Sequence, residues 1–331
     1  MRILVLGGSW FLGKRVADMA ISQGGKVTVF NRGRSGSEAM GVTSVRGDRT
    51  SLPDLERLAQ HGPWDAVIDT SAAEMPFEAV EASARVLEPV AHRYVFVSTV
   101  NAYRGWPVEP LNDNSPLYDA PPGPETTGAE VYGRNKAMSE RAVLDHFGER
   151  GVILRPGVIL GPGEYVGRLP WWLGRAHRGG LILAPGDPNR SIQPVDVRDV
   201  AAFALNRAAA GGGTFNVVAP MGRETMGGFL TSCLAATGSK GELVWAPDEV
   251  LVRHHVQDWT ELPLWRTAPG AWAVDASRAF EAGLVCRPLA ETVADTWAWL
   301  VGGGVLVDHP RQSEHGISAD REREILADLG R

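Results

Sequence analysis

Ile3-Leu4-Val5-Leu6-Gly7-Gly8-Ser9-Trp10-Phe11-Leu12-Gly13 is the stretch on which the fold turns. An unbroken apolar run, the pattern of a strand buried on both faces, enters a tight Gly-Gly turn and passes directly into a helix. The unpaired N–H groups and positive dipole end of that helix face whatever sits in the turn, so the segment reads as an anion site. Gly7, Gly8, Ser9, Trp10, Phe11, Leu12 and Gly13 are its expected contacts.

Working outward, strand-like runs at residues 2–6, 26–30, 43–46, 65–69, 93–98 and 152–154 alternate with helical spacing at 12–22, 53–60, 77–87 and 129–147. Strict alternation predicts an α/β chain, a Rossmann-type doubly wound parallel sheet. Gly7 and Gly13 keep the spacing of the first and last glycines of the dinucleotide fingerprint, the last needed for close helix-to-strand packing. Trp10 stands in place of the middle glycine, and the backbone turn is expected to hold pyrophosphate with the indole over its rim. Beyond Pro156 the pattern loosens into Gly, Pro and Trp-rich sequence. A nucleotide-binding core over 1–155 is therefore expected, then a smaller C-terminal substrate-binding lobe over 156–331, with segments near 190–218 returning to the sheet. The glycines at 302–304 suggest a hinge, and Ser318 a cap for a last charged helix at 319–329.

The 331 residues are 44% hydrophobic and 22% charged, enough for a full core. A net charge of -6 argues against a nucleic-acid partner, which would require a basic face. Cys233 and Cys286 form no CxxC pair, and reduced thiols with no metal or disulfide are expected. His254-His255 has no companion at metal-ligand spacing. No apolar run reaches the roughly 18 residues of a membrane span, and the strand at residue 2 leaves no room for a signal peptide. A cytoplasmic protein with no membrane partner is the expectation, with a small-molecule substrate and a homodimer as a compatible assembly.

The second strand ends in Asn31-Arg32-Gly33-Arg34. A carboxylate at this place binds the 2'-hydroxyl of NAD, whereas a 2'-phosphate wants cationic forks. Asn31 removes the carboxylate and Arg32 and Arg34 supply the forks, so NADP(H) is favoured, with NAD(H) as the alternative. Asp48, after the third strand, is placed to accept the adenine amino group or to form a turn. Arg49 and Ser71 are counted with the cofactor contacts. Downstream, Tyr132 and Lys136 lie at i and i+4 and share a helix face. An ammonium there stabilises phenolate and makes the tyrosine a general acid or base. The strand before it ends in Ser98-Thr99, a hydroxyl at the carboxyl edge where such sheets bind ligands.

In this order the glycine turn, the segment from Val95 to Tyr103, the Tyr132 to Lys136 pentad, the segment from Leu154 to Gly163, and the segment from Ile192 to Phe203 resemble the extended, atypical short-chain dehydrogenase/reductases of the NAD-dependent epimerase/dehydratase family. The resemblance implies that Thr99 hydrogen-bonds the substrate oxygen and that Tyr132 transfers the proton. It further implies that Lys136 binds the nicotinamide ribose and tunes Tyr132, and that Pro156 and Val158 flank the nicotinamide. Family dehydratases carry an Asp-Glu pair after the catalytic Thr, where this chain has Val100-Asn101. Many nucleotide-sugar epimerases have Asn at the place of Val158. Asn101, Arg190, Trp171 and Trp172 are the expected substrate contacts. The function expected is an NADP(H)-dependent oxidoreductase of a small carbonyl or secondary alcohol, ahead of a sugar epimerase and a catalytically silent dinucleotide-binding regulator.

Overall fold

The computed structural model describes residues 1–33 and 38–331. In chain order its strands and helices begin β1 (Arg2–Leu6), α1 (Phe11–Ser22), β2 (Lys26–Asn31), β3 (Thr43–Arg46), α2 (Leu52–Ala59), β4 (Ala66–Asp69), α3 (Phe77–Leu87), β5 (Tyr94–Val97) and α4 (Gly128–Phe147). There follow β6 (Gly151–Pro156), β7 (Ile159–Leu160), α5 (Arg168–Arg178), β8 (Leu181–Pro185), β9 (Ser191–Ile192), β10 (Val195–Asp196), α6 (Val197–Ala210) and β11 (Gly213–Val217). The remainder comprises β12 (Glu224–Thr225), α7 (Met226–Thr237), β13 (Glu242–Ala246), α8 (Asp248–Arg253), α9 (Ser277–Glu281), α10 (Leu289–Val301) and α11 (Ala319–Asp328). The chain divides into two units: unit 1 holds residues 1–157, 197–218 and 274–285, and unit 2 holds 158–196, 219–273 and 286–331.

Unit 1 is built on a seven-stranded sheet in the order β11-β6-β5-β4-β1-β2-β3, and every pair is parallel. The doubly wound sheet expected from alternation is present. β1, β4, β5 and β6 carry apolar side chains on both faces because helices cover both, as a parallel sheet requires. The order reverses between β1 and β4, which opens a crevice at their carboxyl ends. Gly7 leaves β1 at that crevice, and Thr70 and Ser71 leave β4 beside it. α1 buries Leu12, Gly13, Val16, Ala17 and Ala20, a stripe of helical period made of small and aliphatic residues.

Unit 2 is smaller in its regular structure. β8 pairs in parallel with β13, two-residue strands join as β7-β10 and β9-β12, and α5, α7, α10 and α11 surround a core of Leu169, Trp172, Phe229, Leu230, Trp265, Val293 and Ile325. Ser318 caps α11 by accepting the Arg321 N–H, as its sequence suggests. Cys233 is buried and Cys286 half-buried, with no disulfide between them. Among the described residues no helix is long and apolar enough to cross a membrane, and no cluster of metal-ligating side chains occurs.

Candidate active site

The glycines of the turn are held to glycine by space as well as by conformation. Gly7 and Gly8 sit at φ of +104° and +88°, a region that side chains disfavour. A Cβ on Gly8 would lie 2.7 Å from Val29 Cγ1. On Gly13 it would lie 2.5 Å from Thr70 Oγ1 and 2.7 Å from the Gly8 nitrogen, so this glycine lets the first turn of α1 close onto the crevice. Trp10 is the N-cap residue, in extended conformation, and no side chain caps the helix and no acidic residue occupies its first turn. The turn therefore fits a dinucleotide pyrophosphate: close backbone approach and a positive helix end with no acidic residue in its first turn. Replacing Gly13 with Ala should weaken dinucleotide binding by at least about tenfold, or ~1.4 kcal/mol, in a fluorescence titration.

At the end of β2, Asn31 ties the turn to the next loop. Its Nδ2 donates to Gly7 O at 3.2 Å and Glu38 Oε1 at 2.8 Å, while Oδ1 accepts from Gly33 N at 2.8 Å and from Arg46. Arg46 also pairs with Glu38 at 2.6 Å, and Ser44 donates to the same carboxylate. A carboxylate thus stands beside the β2 terminus although position 31 itself is an amide. Seven residues separate Glu38 from Asn31, so inspection of the strand end alone misses it. Arg32 is exposed, and Arg34 lies outside the described residues.

Arg49 is 4% exposed and its guanidinium grips Asp69, Ser83 and Ser71, with Nη1 to Asp69 Oδ1 at 2.6 Å and to Ser71 Oγ at 3.1 Å. Tyr94 donates to Asp69 Oδ2 at 2.8 Å and closes the network. The structure therefore gives Arg49 a buried partner set, through which it orients Ser71 against Gly7; a Cβ on Gly7 would lie 3.2 Å from Ser71 Cβ. Breaking this ion pair leaves an uncompensated buried charge: Asp69→Asn should lower unfolding free energy by about 3–5 kcal/mol in urea denaturation. Asp48 accepts from Thr50 N at 2.9 Å and Thr50 Oγ1 at 2.7 Å, a turn-forming arrangement.

The residues expected from sequence to handle the proton lie just after β5 and on α4. Thr99 is 7% exposed and caps the turn at Val100–Ala102, with Oγ1 accepting the Asn101 N–H at 3.2 Å. Asn101 is half-buried in the same turn. Lys136 is buried, donates to Val97 O at 2.8 Å and lies 5.8 Å from the Tyr132 ring centroid. Burial lowers its pKa from 10.5 to about 8, against the opposing field of Asp69. Between Tyr132 and Lys136 the backbone comes very near the Thr99 turn: a Cβ on Gly133 would stand 2.3 Å from Asn101 O. Gly133 is a residue that motif reading passes over, and its absent side chain is what lets α4 pack this close to the turn that follows Thr99. Gly133→Ala should push α4 outward and cut turnover by about a hundredfold or more, with cofactor affinity little changed, in steady-state assays.

Behind this face runs a second buried network. Arg155 on β6 clamps Glu140 with Nε to Oε1 at 3.0 Å and Nη2 to Oε2 at 2.6 Å, and Ser98 donates to the same carboxylate. Arg155 Nη1 reaches Tyr103 Oη at 2.7 Å, and Tyr103 donates to Asn216 Oδ1 at 2.8 Å. Strand β5, helix α4, strand β6 and strand β11 are thereby fixed around the Thr99 turn. Pro156 ends β6 opposite Val217 of β11.

Other expected contacts fall in unit 2. Val158 is buried at its start. Arg190 pairs with Asp248 through both oxygens and reaches Arg266 O at 3.2 Å, while Trp265 Nε1 donates to Asp248 Oδ1 at 2.8 Å. Its charge is thus locally matched. Trp172 is 1% exposed and donates to Pro263 O at 2.7 Å, which makes it a core residue of the unit. Trp171 packs edge-on against it with ring centroids 4.6 Å apart.

Comparison with known proteins agrees with this architecture. Residues 3–217 match the family described as NAD dependent epimerase/dehydratase. Among curated proteins, the chain is 30% identical over 224 residues to a 2-alkyl-3-oxoalkanoate reductase of Stenotrophomonas maltophilia, covering 61% of this chain and 63% of the relative. It is 24% identical over 220 residues to the Arabidopsis thaliana chloroplast stem-loop binding protein of 41 kDa b, covering 62% and 54%. The matches thus span less than two thirds of these relatives' length. Among solved structures, the Bordetella bronchiseptica enzyme WbmH in complex with NAD+ aligns with a TM-score of 0.70 at 18% identity, over 92% of this chain and 99% of that one. A UDP-glucose 4-epimerase of Thermotoga maritima with UDP-glucose aligns at 0.69 and 20% identity, over 92% and 99%. These likenesses show the fold, and the match over residues 3–217 shows the lineage: the chain belongs to the NAD dependent epimerase/dehydratase family.

Proposed function

We propose that the chain is a nicotinamide-dependent reductase of a small ketone, with NADP(H) preferred. The observation that carries the reading is the buried Lys136, one helical turn from Tyr132 and hydrogen-bonded to Val97 O at the edge of the Thr99 turn. A bound nicotinamide supplies the hydride to the carbonyl carbon. Thr99 Oγ1 donates to the carbonyl oxygen and holds it, and the Tyr132 phenol gives that oxygen its proton. The Lys136 ammonium stabilises the phenolate left behind and binds ribose hydroxyls. Residues of the glycine turn, with Ser71, hold the pyrophosphate end. Unit 2 is read as the substrate-binding lobe.

A ketone substrate is favoured over water elimination because Val100-Asn101 supplies no acid–base pair after Thr99. The name of the Stenotrophomonas relative, an oxoalkanoate reductase, agrees with it. The preference for NADP(H) rests on Asn31, on the exposed Arg32 and on Arg46 at the β2 terminus. Glu38 opposes it by neutralising Arg46. Glu38→Gln should therefore raise NADP+ affinity relative to NAD+ by about tenfold in competitive binding titrations. The function is tested by mixing the purified protein, NADPH and a panel of 3-oxo acids and ketones while following nicotinamide absorbance. Stoichiometric NADPH consumption with alcohol formation is expected. Cofactor that co-purifies tightly and is never consumed, while a sugar alcohol is inverted, would replace the reductase with an epimerase.

A further inference from the structure

Tyr132 lies near the start of α4, where the helix stands clear of the body of unit 1. The N-cap residue Thr127 makes no side-chain cap, Gly128 enters the helix at φ of +55°, and residues 128–130 are exposed. Val131 and Tyr132 are half-buried, and full burial begins at Gly133. A helix end with its first N–H groups uncapped frays. A proton donor needs the opposite, a fixed place relative to the hydroxyl that holds the substrate oxygen.

The Arg134 side chain crosses back from this exposed turn. It donates through Nε to Glu130 Oε1 at 2.8 Å, one turn earlier on α4, and through Nη1 to Ala120 O at 3.1 Å in the preceding loop. Its guanidinium carbon lies 4.8 Å from the Tyr118 ring centroid. Tyr118 is in turn fixed to the Thr99 turn: its N–H donates to Ala102 O at 3.1 Å, and the Arg104 N–H donates to Pro116 O at 3.0 Å beside it. Tyr118 and Leu117 pack against Ala102, Ala137 and Met138. The edge of the Tyr118 ring also faces the helix backbone, since a Cβ on Gly133 would lie 3.0 Å from Tyr118 Cε2. A chain of contacts therefore runs from the Thr99 turn through Tyr118 and Arg134 to Glu130, two residues before Tyr132. Arginine suits the junction because its planar fork donates in two directions while its face stacks on an aromatic ring.

We propose that Tyr118 and Arg134 are positioning residues for the proton transfer: together they clamp the exposed first turn of α4 to the Thr99 turn and so set the place of Tyr132. The chemistry in this inference rests on the reductase reading, whereas the clamp rests on the contacts alone. Neither residue gives or takes the transferred proton. The Arg134–Glu130 pair is a partly exposed i,i+4 contact, so its loss costs little global stability, and an effect on turnover is separable from an effect on folding.

The test pairs steady-state kinetics with NADPH and a ketone substrate against hydrogen–deuterium exchange of the full chain. Arg134→Met keeps an unbranched stem and removes the donors. It should lower kcat by at least about tenfold while the KM for NADPH stays within about twofold and the melting temperature is little changed. Amide exchange should quicken across residues 131–134, the first amides of α4 to be bonded within the helix. Tyr118→Leu should reproduce the fall in kcat, and Tyr118→Phe, which keeps a ring under the guanidinium, should stay within about threefold of the parent. Unchanged kcat or unchanged exchange in Arg134→Met would overturn the proposal. So would a loss in Tyr118→Phe as large as in Tyr118→Leu, which would make the phenol a substrate contact. If the unsubstituted protein consumes no NADPH with any ketone, the reductase reading fails by itself, and the exchange measurement still decides the clamp.

Discussion

Tyr132→Phe should lower kcat by about a thousandfold while leaving dinucleotide affinity within about twofold. The substitution removes one oxygen from a half-buried side chain and leaves the ring beside Lys136 and the packing of α4 intact. Only the proton-transfer group is lost, so the effect falls on turnover and on neither folding nor cofactor binding. In the proposed mechanism Thr99 still holds the substrate oxygen in the variant, which is why a residual rate is expected. Single-turnover measurements with a fixed excess of NADPH separate the two quantities. A variant that keeps full turnover would remove Tyr132 from the mechanism.

Lys136→Met carries the second large effect, and its sign on stability is opposite to its sign on activity. Folding buries the ammonium and lowers its pKa from 10.5 to about 8, a cost of about 3 kcal/mol at neutral pH. Methionine fills similar volume without that cost, though it leaves Val97 O without its donor, at about 1–3 kcal/mol. The melting temperature should therefore be unchanged or higher, while kcat falls by about a hundredfold or more. The pH dependence gives a second readout. Between pH 8 and 10.5 the unfolded chain binds the extra proton, so the native protein gains stability as pH rises through that window. In Lys136→Met that rise should vanish, as measured by urea denaturation across the window. A variant that loses several kcal/mol of stability at neutral pH would mean that Lys136 supports the fold and not the chemistry.

The centre of the sheet was legible from hydrophobic patterning because β1, β4 and β5 are buried on both faces and read as apolar runs. The five helices read from helical spacing are bounded within a residue, and Ser318 caps the last of them. Two kinds of information were out of reach. Glu38 reaches the β2 terminus from a loop, and Gly133 matters through the Asn101 carbonyl opposite, so neither carries a local pattern. Sequence alone counts Arg49 with the cofactor contacts, and only the fold brings Asp69, Ser83 and Tyr94 around it. Similarly, Trp171 and Trp172 are adjacent in sequence, yet one is partly buried and the other lies in the core, a distinction set by which face of α5 meets α7.

The central claim is that the turn from Gly7 to Gly13 receives a nicotinamide dinucleotide beside Tyr132 and Lys136. Titrating purified protein with NADPH and NADH, and following energy transfer from tryptophan to the reduced nicotinamide, tests it without any substrate. The account predicts saturable transfer at micromolar NADPH, with affinity lost in Gly13→Ala and retained in Tyr132→Phe. No saturable transfer from either dinucleotide up to millimolar concentration would contradict it.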